Sequence, residues 1–142
     1  KKYLDSKMSK TMNYSQTTKA VKVTVQPLYL EDQSEPDKNH FMWAYYVRIE
    51  NKGKERIQLL NRYWEIVEAN GTTHEVHGPG VVGEQPFMEP GECFEYTSGT
   101  PLKTSSGFMR GAYEVTTDTG ECFDVMIPAF SLDTPFEPRM LQ

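Results

Sequence analysis

The chain alternates apolar and polar residues with a period of two, and this alternation limits its fold more than any other feature. It is clearest between residues 41 and 50, where every second residue is large and apolar: Phe41, Trp43, Tyr45, Val47 and Ile49. An earlier run alternates Val21, Val23 and Val25 with polar residues. Because successive side chains of a strand point to opposite faces, both runs predict half-buried β-strands.

Turn signals divide the rest of the chain into further short segments. Asn70-Gly71, for example, is a strong hairpin signal. The predicted segments are strands at 57–68, at 73–76, through Phe94 and Tyr96, at 109–117 and at 123–127, a connection at 99–107, and an irregular tail from Pro128. No stretch has a convincing helical period, so the sequence predicts an all-β protein.

Strands with one apolar and one polar face are typical of two packed antiparallel sheets. We therefore predict an antiparallel two-sheet sandwich rather than a barrel, immunoglobulin-like in architecture only, since the cysteine–tryptophan–cysteine pattern of antibody domains is missing. In the late strands we expect Phe94, Tyr96, Phe123 and Val125 to face inward. Cys93 and Cys122 then face outward by parity, which disfavours a disulfide between them.

Length and composition indicate one folded domain. The chain has 142 residues, of which 37% are hydrophobic and 25% charged. We predict a flexible N-terminal lead at 1–17, the sandwich domain at 18–134 and a C-terminal tail at 135–142. A formal net charge of −5 argues against nucleic acid as the partner. No apolar run approaches the roughly 18 residues of a membrane span, and no signal-peptide core is present, so we expect a cytoplasmic protein without a membrane partner.

Three glycines, Gly78, Gly80 and Gly83, have the Gly-x-Gly-x-x-Gly spacing of dinucleotide-binding loops. That interpretation requires a helix opening at the glycines. Pro86 and Pro90 follow closely and exclude a helix there, because proline lacks the N–H that a helix needs. The stretch is therefore predicted to be a glycine loop between β-strands.

Five segments together resemble the ApaG family, in the same order and with similar spacing over about residues 18–134. They are Leu59-Leu60-Asn61-Arg62-Tyr63-Trp64-Glu65-Ile66, Gly78-Pro79-Gly80-Val81-Val82-Gly83-Glu84-Gln85-Pro86, Pro90-Gly91-Glu92, Tyr96-Thr97-Ser98-Gly99-Thr100-Pro101-Leu102 and Ile127-Pro128-Ala129-Phe130-Ser131-Leu132. One departure is Tyr63, where many members carry a histidine; this weakens the idea that the position acts in proton transfer or metal binding.

The resemblance implies an immunoglobulin-like or fibronectin type III-like sandwich. It also implies a link to diadenosine tetraphosphate hydrolysis and to tolerance of divalent cations, cobalt and magnesium, which is the association of bacterial members. Related domains occur in F-box proteins and in a DNA-polymerase-interacting protein. No established catalytic activity comes with the resemblance.

The candidate ligand site is the glycine loop. Successive backbone N–H groups of Gly78, Gly80, Val81, Val82 and Gly83 are candidates for an anion nest that binds phosphate or pyrophosphate. Either Arg62 or Arg110 is a candidate to complete the nest with a forked guanidinium. The alternative is that the glycines only adopt conformations that other residues resist. For Arg62, the candidate partners are Glu84, a backbone carbonyl and a ligand.

Other chemistry has little support in the sequence. His74 and His77 lie three positions apart and so face opposite ways on a strand, and His40 stands alone, so we predict no metal site. Ser98 and Cys93 have no evident activating base, and we predict no catalytic residue and no cofactor.

Two functions remain as hypotheses. The first is a non-catalytic protein-interaction module with a protein partner, in which a homodimer is also open. The second is a binder of pyrophosphate or nucleotide phosphates at Gly78–Gly83. An arginine engaged inside the protein, with an apolar surface patch elsewhere, favours the first; exposed loop amides beside a free arginine favour the second.

Overall fold

The computed structural model describes residues 12–135, and every long element within them is a β-strand. The strands are β1 Tyr14–Thr18, β2 Val21–Tyr29, β3 Phe41–Asn51, β4 Ile57–Glu68, β5 Thr73–Pro79, β6 Phe87–Met88, β7 Cys93–Leu102, β8 Ser106–Thr117 and β9 Cys122–Asp133. Two 3-10 turns, Glu31–Gln33 and Pro36–Lys38, lie between β2 and β3. No helix in these residues has the length and apolar character needed to cross a bilayer.

The strands form two antiparallel sheets. The first has the order β1-β2-β3-β7; the second has the order β5-β4-β8-β9, with β6 added to β4. The alternating apolar residues of β2 and β3 are buried, as predicted. Between the sheets, the ring of Tyr45 lies 5.1 Å from that of Trp64. The predicted two-sheet sandwich is confirmed.

The late strands also face as parity predicts. Val125 is buried, and Phe94, Tyr96 and Phe123 pack partly buried against the core. Cys93 and Cys122 are both exposed free thiols.

A bulge at Leu60 changes which residues of β4 face the core. Before it, Ile57 and Leu59 are buried; after it, Trp64 and Ile66 are buried instead. A bulge places one extra residue on one strand, so the alternation shifts by one position beyond it. The inward face of β4 therefore passes from odd-numbered to even-numbered residues.

A second bulge lies in β9, where Pro128 and Ala129 stand opposite the single residue Arg110. Its effect is the same, because Ile127 is buried before the bulge and Phe130 after it. Proline is tolerated at a bulge, where a ladder hydrogen bond is already interrupted. The strand therefore continues to Asp133, and the predicted irregular tail from Pro128 was wrong.

Other predicted boundaries change as well. β1 begins at Tyr14, inside the lead predicted at 1–17, and pairs with β2. It lacks an apolar alternation because three of its five residues are exposed and the other two are only partly buried. β5 runs on to Pro79, beyond the strand end predicted at 76, and β7 runs to Leu102, into the connection predicted at 99–107. Residues 1–11 of the predicted lead, and all but Pro135 of the predicted tail, lie outside the described residues.

The two sides of the sandwich differ. On one side β9 approaches β1: the Met126 amide donates a hydrogen bond of 3.1 Å to Thr18 Oγ1, and the rings of Tyr14 and Phe130 lie 6.0 Å apart. On the other side, β7 and β5 are the last strands of their sheets.

Candidate functional site: the glycine turn and Arg62

The glycine stretch closes the end of β5 with a tight turn. Val81 and Glu84 exchange backbone hydrogen bonds of 2.8 and 2.9 Å. Between them, Val82 has a φ of 42° and Gly83 a φ of 82°. Positive φ at both central residues is the signature of a type I′ turn. Gly78 is a β5 residue paired with Arg62, so the turn begins later than the loop predicted from the sequence.

The turn uses amides that an anion nest would need. The Gly80 N–H donates to the Leu60 carbonyl and the Val81 N–H to the Glu84 carbonyl, each at 2.8 Å. The side chain of Val81 is fully buried. A nest requires successive N–H groups turned toward one ligand. Of the predicted nest residues in the turn, only Val82 and Gly83, at its tip, have N–H groups that take no part in these bonds.

Glycine at position 80 is required by the backbone itself. Its φ is 60°, and a Cβ added there would lie 2.0 Å from the Glu84 carbonyl oxygen. At position 78, an added Cβ would lie 2.9 Å from a terminal nitrogen of Arg62, because the guanidinium packs against the bare Cα. These two glycines therefore have architectural reasons to be present.

Arg62 is engaged by the backbone of this turn. The bulge at Leu60 places Arg62 on the face of β4 that carries Trp64 and Ile66. Its Nη1 donates to the carbonyl of Pro79 at 3.0 Å and to that of Gly80 at 2.9 Å. Of the three candidate partners, the backbone carbonyl is the one that Arg62 meets within the described residues, where no ion pair joins it to Glu84.

Beneath Arg62 lies a group of tyrosines between the sheets. The hydroxyls of Tyr96 and Tyr113 are hydrogen-bonded to each other. Burial raises the pKa of both, so both hydroxyls stay protonated, and the positive charge of Arg62 acts in the opposite direction. Burial likewise raises the pKa of Tyr45, against a hydrogen bond with Ser98 and the same charge. The guanidinium thus lies close to neutral polar groups.

Arg110 is not part of this arrangement. It pairs across the strands with Glu65, to which its Nε donates a hydrogen bond, and its guanidinium carbon lies 5.6 Å from the centre of the Phe108 ring. Glu65 and Arg62 are an odd number of residues apart on β4 beyond the bulge, so they face opposite ways. The structure therefore separates the two arginines that the sequence offered as alternatives.

The concave surface beside the turn lies on the outer face of the second sheet. It is a groove of about 550 Å³ with an acidic floor that sequence reasoning missed. Its lining includes Arg62 and Gly78 of the predicted site and, beside them, Asn61, Tyr63, His77, Pro79, Ala112, Glu114 and Asp124. Asn61 Nδ2 donates to Glu114 Oε1 at 2.6 Å, and the rings of Tyr63 and His77 lie 4.7 Å apart. The two carboxylates, Glu114 and Asp124, outnumber the one guanidinium in the lining, so the groove disfavours a phosphate. In the sequence, the only signal of this groove was the alternation along β4 and β8, which places Asn61 and Glu114 on the outer face.

Comparison with known proteins shows the family. The model of the ApaG domain matches residues 31–117. Protein ApaG from Parvibaculum lavamentivorans is 60% identical over 128 residues, which cover 90% of this chain and 98% of that protein. Protein ApaG from Paramagnetospirillum magneticum is also 60% identical, over 89% of this chain and 98% of its own length.

The chain belongs to the ApaG family. A solved structure from Bordetella pertussis, described as an ApaA protein, is similar over 85% of this chain and 95% of its own, with a TM-score of 0.79 and 43% identity. The resemblance drawn from the five sequence segments is confirmed.

The histidines of this ApaG-family chain have separate local partners. His74 Nε2 lies 2.7 Å from Glu68 Oε2, and the Lys103 amide donates to the other Glu68 oxygen at 2.6 Å. Burial alone would raise the pKa of Glu68, but these hydrogen bonds outweigh it and lower that pKa. The His77 ring instead lies beside that of Tyr63, tilted by 42° to it. Within residues 12–135, no three His, Cys, Asp or Glu side chains are grouped so as to hold a metal ion.

The outer face of the first sheet is divided in this ApaG-family chain. Around Leu28, which is 42% exposed, an open groove of about 300 Å³ is lined mainly by apolar atoms of Ala44, Tyr46 and their neighbours. Farther along the same face, Arg48 forms ion pairs with Glu50 and Glu95. One half of this face is thus apolar and the other charged.

Proposed function

We propose that this ApaG-family chain is a non-catalytic, cytoplasmic protein-interaction module in a pathway linked to divalent cation tolerance and diadenosine tetraphosphate metabolism. The observation that carries the proposal is the state of Arg62. Its Nη1 donates to the carbonyls of Pro79 and Gly80, so one arm of the fork expected to receive a phosphate is already engaged. The pathway comes from the family resemblance.

The apolar half of the first sheet supports a protein partner. Leu28 pairs with Ala44, and the adjacent row pairs Gln26 with Tyr46. Partly exposed apolar and aromatic side chains bordered by charged ones are typical of protein-binding surfaces. Here the charged border is the Arg48 group on the same sheet. We assign this surface, centred on Leu28, to the partner.

Site-specific photo-crosslinking in cells tests this assignment. A photoreactive amino acid at position 28 should give a discrete crosslinked protein, whereas the same amino acid at Lys22, on the charged half of the same face of β2, should not. Leu28→Lys should then remove the partner from affinity capture, and Lys22→Glu should leave it. Crosslinks of equal yield at both positions, or none at either, would contradict the proposal.

The phosphate hypothesis at Gly78–Gly83 has weaker support, because the amides of Gly80 and Val81 are already bonded. It is tested by titrating the amide NMR spectrum with pyrophosphate, ATP and diadenosine tetraphosphate, each with and without magnesium. We expect no saturable shift at millimolar ligand. Saturable shifts confined to the turn and to the Arg62 strand, and abolished by Arg62→Ala, would favour phosphate binding over the interaction module.

A further inference from the structure

Strand β5 is an open edge of the second sheet. It is the last strand in the order β5-β4-β8-β9, and no other strand of residues 12–135 pairs with its outer side. Six of its seven residues are exposed. Unpaired N–H and C=O groups along such an edge are a template for another strand.

The hydrogen bonds at the two ends of β5 show which of its backbone groups are free. The Gly80 N–H donates to Leu60, and the Thr72 carbonyl accepts from Glu68. Antiparallel pairs alternate between those that exchange hydrogen bonds and those that do not. By this alternation His74, Val76 and Gly78 bond β4, whereas the N–H and C=O groups of Thr73, Glu75 and His77 point to the open side. The Pro79 carbonyl already accepts from Arg62.

The same residues are self-complementary about the middle of the strand. A twofold axis through Val76 would place Glu75 opposite His77 of a second copy, Thr73 opposite Pro79, and Val76 opposite itself. Glu75 and His77 both have backbone groups on the open side, so they would form the hydrogen-bonded pairs of the new ladder. An acid would thus meet a base on each side of the axis.

Neighbouring registers are less favourable. An axis through His77 pairs Glu75 with Pro79 instead of with an imidazole, and an axis through Glu75 places that carboxylate opposite its own copy. Like charges directly opposite each other destabilise a strand pair. A shift of the pairing register by one residue would instead bring side chains of the outer sheet face opposite side chains of the inner face. The charge pattern therefore selects the axis through Val76.

The surroundings of Glu75 favour the same register, in which it meets His77 of a second copy. Across β4 it lies opposite Glu65, whose charge is taken by Arg110. Among the described residues, its one ion-pair partner is its own His77, with 3.8 Å between the imidazole nitrogen and the carboxylate. A second copy would bring another imidazole to Glu75 from the open side.

We propose that β5 pairs antiparallel with β5 of a second copy of this chain about an axis through Val76, which joins the two second sheets into one continuous sheet. This inference does not depend on the proposed partner of the Leu28 surface, which lies on the other sheet. A pair of seven-residue strands buries less than the roughly 1,200–2,000 Å² of stable interfaces. We therefore expect a dissociation constant on the order of 0.1–1 mM.

Amide hydrogen exchange at several protein concentrations tests the register directly. From about 20 µM to 2 mM, a range that spans the expected dissociation constant, the N–H groups of Glu75 and His77 should become protected. The N–H groups of His74 and Val76, which already bond β4, should change little. Sedimentation equilibrium over the same range should show the matching monomer–dimer equilibrium.

Charge exchange tests the pairing chemistry. His77→Glu places carboxylates opposite each other on both sides of the axis and should weaken the dimer at least about tenfold. Glu75→Lys should also weaken it, and the double variant Glu75→Lys/His77→Glu should recover an affinity within about threefold of the wild type. Thr24→Glu, which adds one negative charge on the outer face of the first sheet, is the matched control and should have no effect.

Three results would overturn the proposal. One is a monomer at the highest concentration. Another is protection of Glu75 and His77 that does not depend on concentration, which would mean that the edge is covered within one chain. The third is a dimer whose concentration-dependent protection lies on another strand, such as β7. The exchange data decide among these even if one of the variants does not fold.

Discussion

Arg62 and Arg110 lie on neighbouring strands of the same sheet, and the fold uses them in different ways. Arg62 faces inward and donates to the carbonyls of Pro79 and Gly80, whereas Arg110 faces outward and forms an ion pair with Glu65. The Arg110 side chain is 55% exposed. The difference comes from the bulge at Leu60, which sets the face on which Arg62 lies. An arginine that is a phosphate-site candidate by residue type thus becomes a brace for a turn.

The brace and the turn depend on each other. The Arg62 guanidinium packs where a Cβ of residue 78 would lie, and the carbonyls that it contacts belong to the residues that lead into the type I′ turn. Arg110 has no comparable dependence, since its described partners are one carboxylate and the face of one ring. The comparison therefore predicts large effects of substitution around Arg62 and small ones around Arg110.

The largest effect is expected for Gly80→Ala. The new Cβ would lie 2.0 Å from the Glu84 carbonyl oxygen at a φ of 60°, so the turn must open. We expect a loss of about 3 kcal/mol or more in the free energy of unfolding, measured by urea denaturation. Gly83→Ala is the matched control: its φ is 82°, but nothing lies within 4 Å of the added Cβ. It should cost only about 1 kcal/mol. Equal losses would mean that the close approach does not constrain the turn.

A smaller effect is expected for Arg62→Met. This variant keeps the aliphatic stem and removes the donors to the Pro79 and Gly80 carbonyls, at a cost of about 2 kcal/mol in the free energy of unfolding. Arg110→Met, the control, removes an exposed ion pair, and exposed pairs contribute little. Its midpoint of urea denaturation should match that of the wild type. If the two variants were equally destabilised, the assignment of Arg62 as a brace would be wrong.

The sequence predicted most of the sheet pattern but not the two bulges. The alternation in β3 runs unbroken from Phe41 to Asn51 and is visible in the residue types alone. In β4 the alternation changes at Leu60, where an apolar residue stands at the extra position and hides the shift. In β9, Pro128 was a signal of the bulge, but proline is equally typical of a strand end. β1 was missed because, apart from Tyr14, it is held by pairing with β2 rather than by apolar side chains.

At the candidate site, the sequence identified the right segment but not its chemistry. The Gly-x-Gly-x-x-Gly spacing indicated a special backbone conformation, and positive φ at Gly80 and Gly83 explains two of its glycines. Whether an amide is free or bonded depends on a long-range partner. The Leu60 carbonyl, which accepts from Gly80, belongs to the neighbouring strand. No local pattern reports such a partner, and the outward face shared by Asn61 and Glu114 is likewise fixed only by strand pairing.

The smallest predicted effect is a gain in stability from Val82→Asn. Val82 is β-branched, 56% exposed and has a φ of 42°, a conformation that Val resists and Asn accepts. The variant places an asparagine directly before Gly83, and Asn-Gly is the preferred pair for a type I′ turn, so the free energy of unfolding should rise by about 1 kcal/mol. Urea denaturation measures the gain, and the same substitution in the Arg62→Met background tests whether the brace and the turn are coupled. If the brace and the turn are coupled, the gain should differ between the two backgrounds. An unchanged gain would mean that Arg62 stabilises β5 without influencing the turn.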